Sequence, residues 1–166
     1  MSELTTPRDL FLHELGDILY VEEQLEQEVL PKLIGEVTDS EFKKGLEQHL
    51  TQTRSHIENV EEVFSKLGEE AKSEECVGFE GLKKEHEQLV EESSDDLIDL
   101  VDTGAAARTE HYEIAAYEGL ITMARHLGEK DAIPLLEENL KDEKETLKQV
   151  ESITKRLARE QTKAEA

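Results

Sequence analysis

The sequence predicts an all-α protein, a bundle of four long helices with one long crossover that carries a short fifth helix. Two observations predict it directly. Glycines and helix-capping residues divide the chain into segments, and within each long segment apolar residues recur alternately every four and three positions, the period of a helix face. A third excludes the main alternative: aromatic residues are 4%, tryptophan is absent and proline occurs three times, which is not the composition of a β-sandwich. The 166 residues are the length of one domain and are enough to bury a core, so a single domain over 1–166 is expected.

Each element has a local reason. Thr6-Pro7-Arg8-Asp9 is a helix start, with Thr at the N-cap, Pro at the first helical position and an acid in the first turn. This first helix is expected over about 7–34, ending at Gly35. Thr38 and Glu41 form the pattern of a capping box, and the second helix follows over about 39–67, ending at Gly68. The crossover then runs to about Ser94 and holds a short helix over about 79–92. Ser94-Asp95-Asp96 opens the third long helix, about 95–127, which ends at Gly128. Asp131 is placed to cap the last, about 132–160, with Pro134 in its first turn and a fraying tail from Thr162 to Ala166. Short loops make the first and second helices antiparallel neighbours, and likewise the third and fourth. Four helices with one long crossover are the topology of ferritin-like folds.

Charge narrows the function. With 41 Asp and Glu against 19 Lys and Arg, the formal net charge is −22. Phosphate backbones and anionic lipid surfaces are repelled by such a chain, so neither nucleic acid nor membrane is an expected partner. No apolar run approaches the roughly 18 residues that span a bilayer. Met1-Ser2-Glu3-Leu4 has neither the basic nor the apolar stretch of a secretory signal, and Cys76, the single cysteine, has no internal disulfide partner. A reducing cytoplasm is the expected location. The acid excess exceeds what helix stability needs, and its self-repulsion is relieved by salt, which points to a halophilic cytoplasm of molar salt.

The four helical stripes share an anomaly. They run Phe11, Leu15, Ile18, Glu22, Leu25, Val29 in the first helix and Phe42, Leu46, His49, Thr53, His56, Val60, Val63, Leu67 in the second. The third reads Ala106, Glu110, Glu113, Tyr117, Leu120, Ala124, Leu127, and the fourth Leu136, Leu140, Glu143, Leu147, Val150, Thr154, Leu157. Every stripe is apolar at its ends and interrupted near its middle by Glu or His. A carboxylate on a buried stripe is costly unless it is paired or holds a metal. Counted from the first loop, Glu22 and Gln52 fall at one height, with His49 one turn nearer the loop and His56 one turn farther. Counted from the last loop, Glu113 and Glu143 fall level, with Glu110 one turn beyond. A central polar layer fits both helix pairs.

A dinuclear metal site needs this arrangement: carboxylates bridge two cations and histidines complete their shells. Its standard form takes one Glu from each of two helices and Glu-x-x-His from each of the other two. Iron and manganese both accept such oxygen and nitrogen ligands. This chain carries a variant. The first helix offers Glu22, the second His49, Gln52 and His56, the third Glu110 and Glu113, and the fourth Glu143 with Thr146 where the pattern has a histidine. Outside the layer, His111 lies off its stripe and is expected outward or at an interface. His13, His86 and His126 read as surface, and Cys76 as a buried crossover thiol. Tyr117, one turn from Glu113, is either a donor to the layer or a packing residue.

The stretches Asp17-Ile-Leu-Tyr-Val-Glu22, His49-Leu-Thr-Gln-Thr53, Glu75-Cys76-Val-Gly-Phe-Glu80, Glu110-His-Tyr-Glu113-Ile-Ala-Ala-Tyr117 and Asp142-Glu143-Lys144 resemble the YciF/YciE-type ferritin-like proteins, a stress-associated family that was a domain of unknown function. The resemblance covers about Arg8 to Leu157. It implies a four-helix bundle, homodimers and a two-metal site of rubrerythrin type. Carried over by position, Glu22, Glu110, Glu113 and Glu143 match the family's acidic layer and His49 a recurring second-helix histidine. The chain departs at Gln52, where relatives are expected to carry an acid, and at His56, where they are expected to carry Gln. The functional expectation is a stress-response protein with two iron or manganese ions that handles peroxide or O₂. The alternatives are a ferroxidase or iron-binding protein, and a non-catalytic helical interaction protein whose polar or metal layer is structural.

Overall fold

The computed structural model describes residues 4–164, without the side chain of Ala164; the start of the expected leaderless N-terminus (1–3) and the end of the expected fraying tail (165–166) lie outside the described residues. Residues 162–164 continue the last helix. No strand occurs among the described residues.

Thr6 starts α1 (Pro7–Gln24) as expected. Its hydroxyl accepts from Asp9 N, the Asp9 carboxylate takes Thr6 N in return, and Pro7 occupies the first turn. The first rod is not one regular helix. A π turn, Leu25–Val29, separates α1 from α2 (Leu30–Glu36), with Leu30 N bonding Leu25 O. Pro31 explains the widening: it has no N–H for the carbonyl four residues back, and its ring crowds that carbonyl. α2 runs past Gly35, which stays helical, and ends with an extended Val37.

α3 (Ser40–Lys66) corrects the expected cap. Asp39, not Thr38, caps it through Phe42 N. Thr38 is diverted by a residue distant in sequence: its N–H and hydroxyl, with Asp39 N, all bond the carboxylate of Asp99. Past Gly68 (φ +73°) the crossover passes over α1 at Gly16, where Glu74 N bonds Gly16 O. A Cβ there would lie 2.6 Å from Lys72 O, so only glycine permits the crossing.

The crossover helix α4 (Val77–Glu92) starts two residues earlier than expected because Cys76 caps it, its sulfur accepting from Phe79 N at 3.3 Å. Cys76 is fully buried and lies 2.9 Å from the Tyr112 hydroxyl, which bonds Asp17 at 3.1 Å. Burial pushes this thiol up from its ordinary pKa. The Ser94-Asp95-Asp96 start is a 3₁₀ turn (Asp95–Leu97) before α5 (Ile98–Leu127). Gly128 ends α5 at φ +80°, and α6 is Ile133–Ala164.

The rods form a ring: α1 packs against α3 and α5, and α6 packs against the same two. α4 lies along α5. At one end Phe11, Leu15, Val60, Val63, Leu120, Ala124 and Leu136 are buried; at the other Leu33, Phe42, Leu46, Val150 and Ile153 are. Between these apolar ends sit the buried acids and histidines.

Candidate metal centre

Stripes on all four rods bring their interruptions to one place. Glu22, His49, His56, Glu110, Glu113 and Glu143 are at most 3% exposed. They form two clusters, His49–Glu110–Glu113–Glu143 and Glu22–His56–Glu143, each offering ligand atoms within 4.8 Å of one another. Glu143 belongs to both, so its carboxylate lies between two candidate cation positions. Gln52 is half-buried, at the edge of the face of α3 that buries His49, Thr53 and His56.

His56 Nδ1 lies 2.8 Å from Glu143 Oε1 and 3.3 Å from Glu22 Oε1. His49 Nε2 lies 3.4 Å from Glu110 Oε1 and 3.9 Å from Glu143 Oε2. Despite these distances His56 Nδ1 and Nε2, His49 Nε2, both oxygens of Glu113 and of Glu143, and one oxygen each of Glu22 and Glu110 have no hydrogen-bond partner. All but His56 Nε2, which faces Asp142, converge without meeting as donor and acceptor. Orphaned buried polar atoms are expensive, and atoms that converge on a common point are what a cation needs.

The electrostatics agree. Burial pushes the Glu22 carboxyl up, and pushes Glu110 and Glu113 well above the ordinary range, with the Glu143 charge adding to the effect on all three. Burial also raises Glu143, but His49 and His56 outweigh it and hold that carboxyl below its usual value. Burial opposes charge on His56, yet the Glu22 and Glu143 carboxylates carry it up to about 11. The four carboxylates carry −4 when ionised, which two divalent cations would balance.

The surrounding side chains orient the cluster. Tyr117, fully buried, donates to Glu22, and Asn139 donates to the Tyr117 hydroxyl at 3.0 Å and to His56 O at 3.2 Å. Asn59 in turn donates to Asn139 at 2.8 Å. Asp142 lies 3.5 Å from His56 Nε2. Thr146, where the standard pattern has a histidine, is buried and lies 3.4 Å from His49 Nδ1, so the second rod supplies the imidazole on that side.

These contacts correct the expected fourth stripe. The buried face of α6 is Leu136, Asn139, Glu143, Thr146, Val150 and Ile153, while Leu140, Leu147, Thr154 and Leu157 lie at its edge. Following apolar residues rotated the expected face off its polar members. The three-residue steps from Leu136 to Asn139 and from Glu143 to Thr146 are the signal for the true face. His111 and His126 are exposed, as expected. His86 is not a free surface residue: its Nε2 lies 2.7 Å from Asp102 Oδ1, and Asp102 is 1% exposed. The i, i+4 spacing of Asp102 and Ala106 places that acid one turn before the Ala106 stripe, but nothing in the sequence links it to His86 across the crossover.

Residues 6–163 match the family described as Domain of unknown function (DUF892). The chain belongs to this family. Among its relatives is Protein YciF of Escherichia coli strain K12, 34% identical over 145 residues, covering 86% of this chain and 87% of that protein. The crystal structure of the E. coli stress protein YciF superposes with a TM-score of 0.87 at 31% identity, covering 94% of this chain and 99% of that one. YcfI of Rhodopseudomonas palustris, a protein proposed to be structural, superposes with a TM-score of 0.86 at 36% identity, covering 90% and 95%. A Xanthomonas campestris protein at 19% identity shares the fold, with a TM-score of 0.76. The YciF-type helical bundle expected from the sequence is therefore the fold of this chain. Among the described residues no helix is long and apolar enough to cross a membrane.

Proposed function

We propose that this chain is a dinuclear metalloprotein of the YciF-type ferritin-like family, holding two iron or manganese ions between its four rods. The convergence of unpartnered, buried ligand atoms from six residues carries this reading, with His56 Nδ1 facing Glu22 and Glu143 while its Nε2 faces Asp142. His49, Glu110, Glu113 and Glu143 would hold one cation, and Glu22, His56 and Glu143 the other. Such a pair, when bound, supplies redox chemistry toward O₂ or peroxide. The protein's own residues set the conditions. Tyr117 and Asn139 fix Glu22, Thr146 steadies His49, and Asp142 faces the outer nitrogen of His56. Apolar side chains pack on both sides of the layer along the bundle. By relation to a protein described as a stress protein, the role is a stress response; the single cysteine fits action in a reducing cytoplasm, and the family resemblance adds a homodimer.

The test is metal content after purification without chelator, in wild type and in Glu113→Ala. About two equivalents are expected in wild type and fewer in the variant. Near-zero metal under both aerobic and anaerobic preparation would sink the reading. Peroxide consumption or O₂ uptake by the loaded protein then separates an oxidoreductase from a ferroxidase that oxidises only added ferrous iron. A second reading, a structural layer in a non-catalytic protein, is favoured by the proposed structural role of YcfI. Bound metal with no turnover of either oxidant would select it.

A further inference from the structure

Beside the carboxylate layer the core contains a cavity of about 90 Å³, between the first rod, α3, α4, α5 and α6. Leu25, Leu33, Phe42, Leu46, Phe79 and Ala106 supply apolar walls, and His49 and Glu110 close its inner end. The volume would take about six waters, but apolar walls give water few partners.

Three observations distinguish this space from a packing defect. Its walls include residues too small to fill it. Ala106 stands one turn before Glu110, and a Cβ built on Gly45 would meet nothing within 4 Å. Atoms lining a void lose dispersion contacts on one side, and a leucine at either position would restore them. The inner end also carries buried atoms without partners, Nε2 of His49 and Oε2 of Glu110. Toward solvent, partly exposed His86 lines the cavity, held by buried Asp102, whose second oxygen has no partner either.

We infer that this cavity is a binding site for a small, uncharged, largely apolar organic molecule with one edge against His49 and Glu110. Size and charge choose the class. An apolar cavity of about 150 Å³ holds benzene; this one is smaller but reaches the surface, so a substituent can project outward. Anions are disfavoured because the apolar walls cannot solvate a charge and because Glu143, whose carboxyl is held ionised, lies behind the inner end; Lys83 in the lining is already paired with Glu28 and Glu80. His86 offers a polar ring atom for a hydroxyl near the opening. Phenol is the matching probe. The bearing of that position on the metal chemistry rests on the reading above; the binding itself does not.

The experiment uses metal-free, chelator-treated full-length protein, titrated with phenol and with benzoate by calorimetry and by NMR of the histidine ring signals. Saturable phenol binding at one site, a shift of the His49 ring signals, and benzoate at least about tenfold weaker are expected. Ala106→Phe should weaken phenol about tenfold or more while metal uptake stays at the wild-type level, because Ala106 is no ligand. Gly45→Leu fills the same space from α3 and serves if Ala106→Phe does not fold. Absence of saturable phenol binding to wild type, an unmoved His49 signal at saturation, or unchanged affinity in a folded filling variant would overturn the inference. Failure of the metal reading shows separately, as wild-type protein without metal that still binds phenol.

Discussion

Tyr117 shows how one hydroxyl holds the layer together: it donates to Glu22 and accepts from Asn139. Tyr117→Phe leaves an acceptor on Glu22 and a donor on Asn139 buried without that partner. The expected cost is about 1–3 kcal/mol, read as a lower urea midpoint at unchanged m-value. Glu143 is shared by both clusters, whereas Glu22 belongs to one. Glu143→Ala should therefore lose both cations and Glu22→Ala about one, measured by elemental analysis; equal losses would contradict the bridging role. Protons follow the same geometry. Glu22, Glu110 and Glu113 are raised by burial, and His56 is raised to about 11 by Glu22 and Glu143 against its burial. For each, the folded state binds protons that the unfolded state has released, so stability falls as pH rises above the unfolded value. The carboxyls act above about 4.5, and His56 from about 6.5 to about 11. Glu143, shifted downward, has the opposite sign: its contribution is fully present above about 4.5 and is lost as pH falls through its folded value, so it adds no slope between pH 6 and pH 9. Metal-free protein should thus unfold at lower urea at pH 9 than at pH 6. Added Mn²⁺ should reverse the trend, because metal displaces protons and binds more tightly as pH rises.

At the scale of elements, one departure from a regular helix and one close crossing shape the surroundings of the buried layer. The π turn adds a residue between Glu22 and the end of the first rod, starting three positions after Glu22. Gly16 lets the crossover lie against α1, just before the buried Cys76 that caps α4, and α4 packs along α5. Gly16→Ala drives a Cβ into a backbone carbonyl and should destabilise by about 1–3 kcal/mol. Gly119, exposed within α5, meets nothing within 4 Å, so Gly119→Ala should stabilise by about 0.5–1 kcal/mol. Thermal or urea unfolding of the two variants decides it; equal effects would deny the close crossing.

Across the whole molecule, 41 acids divide into a few that face inward and a shell that faces water. The shell gives the net charge of −22 its repulsion, which salt screens. The melting temperature should rise between about 0.1 M and 2 M KCl, and a flat response would remove the argument for a high-salt cytoplasm. The same charge makes the inner layer harder to ionise, so the cations proposed there would relieve repulsion as well as fill ligand positions.

Sequence by itself determined the rods, because helical periodicity, the Thr6 cap and the stops at Gly68 and Gly128 are local and act through nearby backbone. It also determined which residues on the first three rods interrupt the apolar stripes, since burial of Glu22, His49, His56, Glu110 and Glu113 follows from their spacing. Tertiary structure decided the rest. The choice of Asn139 and Thr146 over Leu140 and Leu147 on α6 depends on how that rod is rotated against α3 and α5. Periodicity alone could not choose, because apolar side chains also fit the edge of a bundle. Likewise Asp99 displaced the local Thr38 cap, and Asp102 claimed His86, through contacts 61 and 16 residues apart in the chain. Those partners meet only when the crossover closes, and a carboxylate brought within hydrogen-bond distance by packing outweighs a preference written in four adjacent residues.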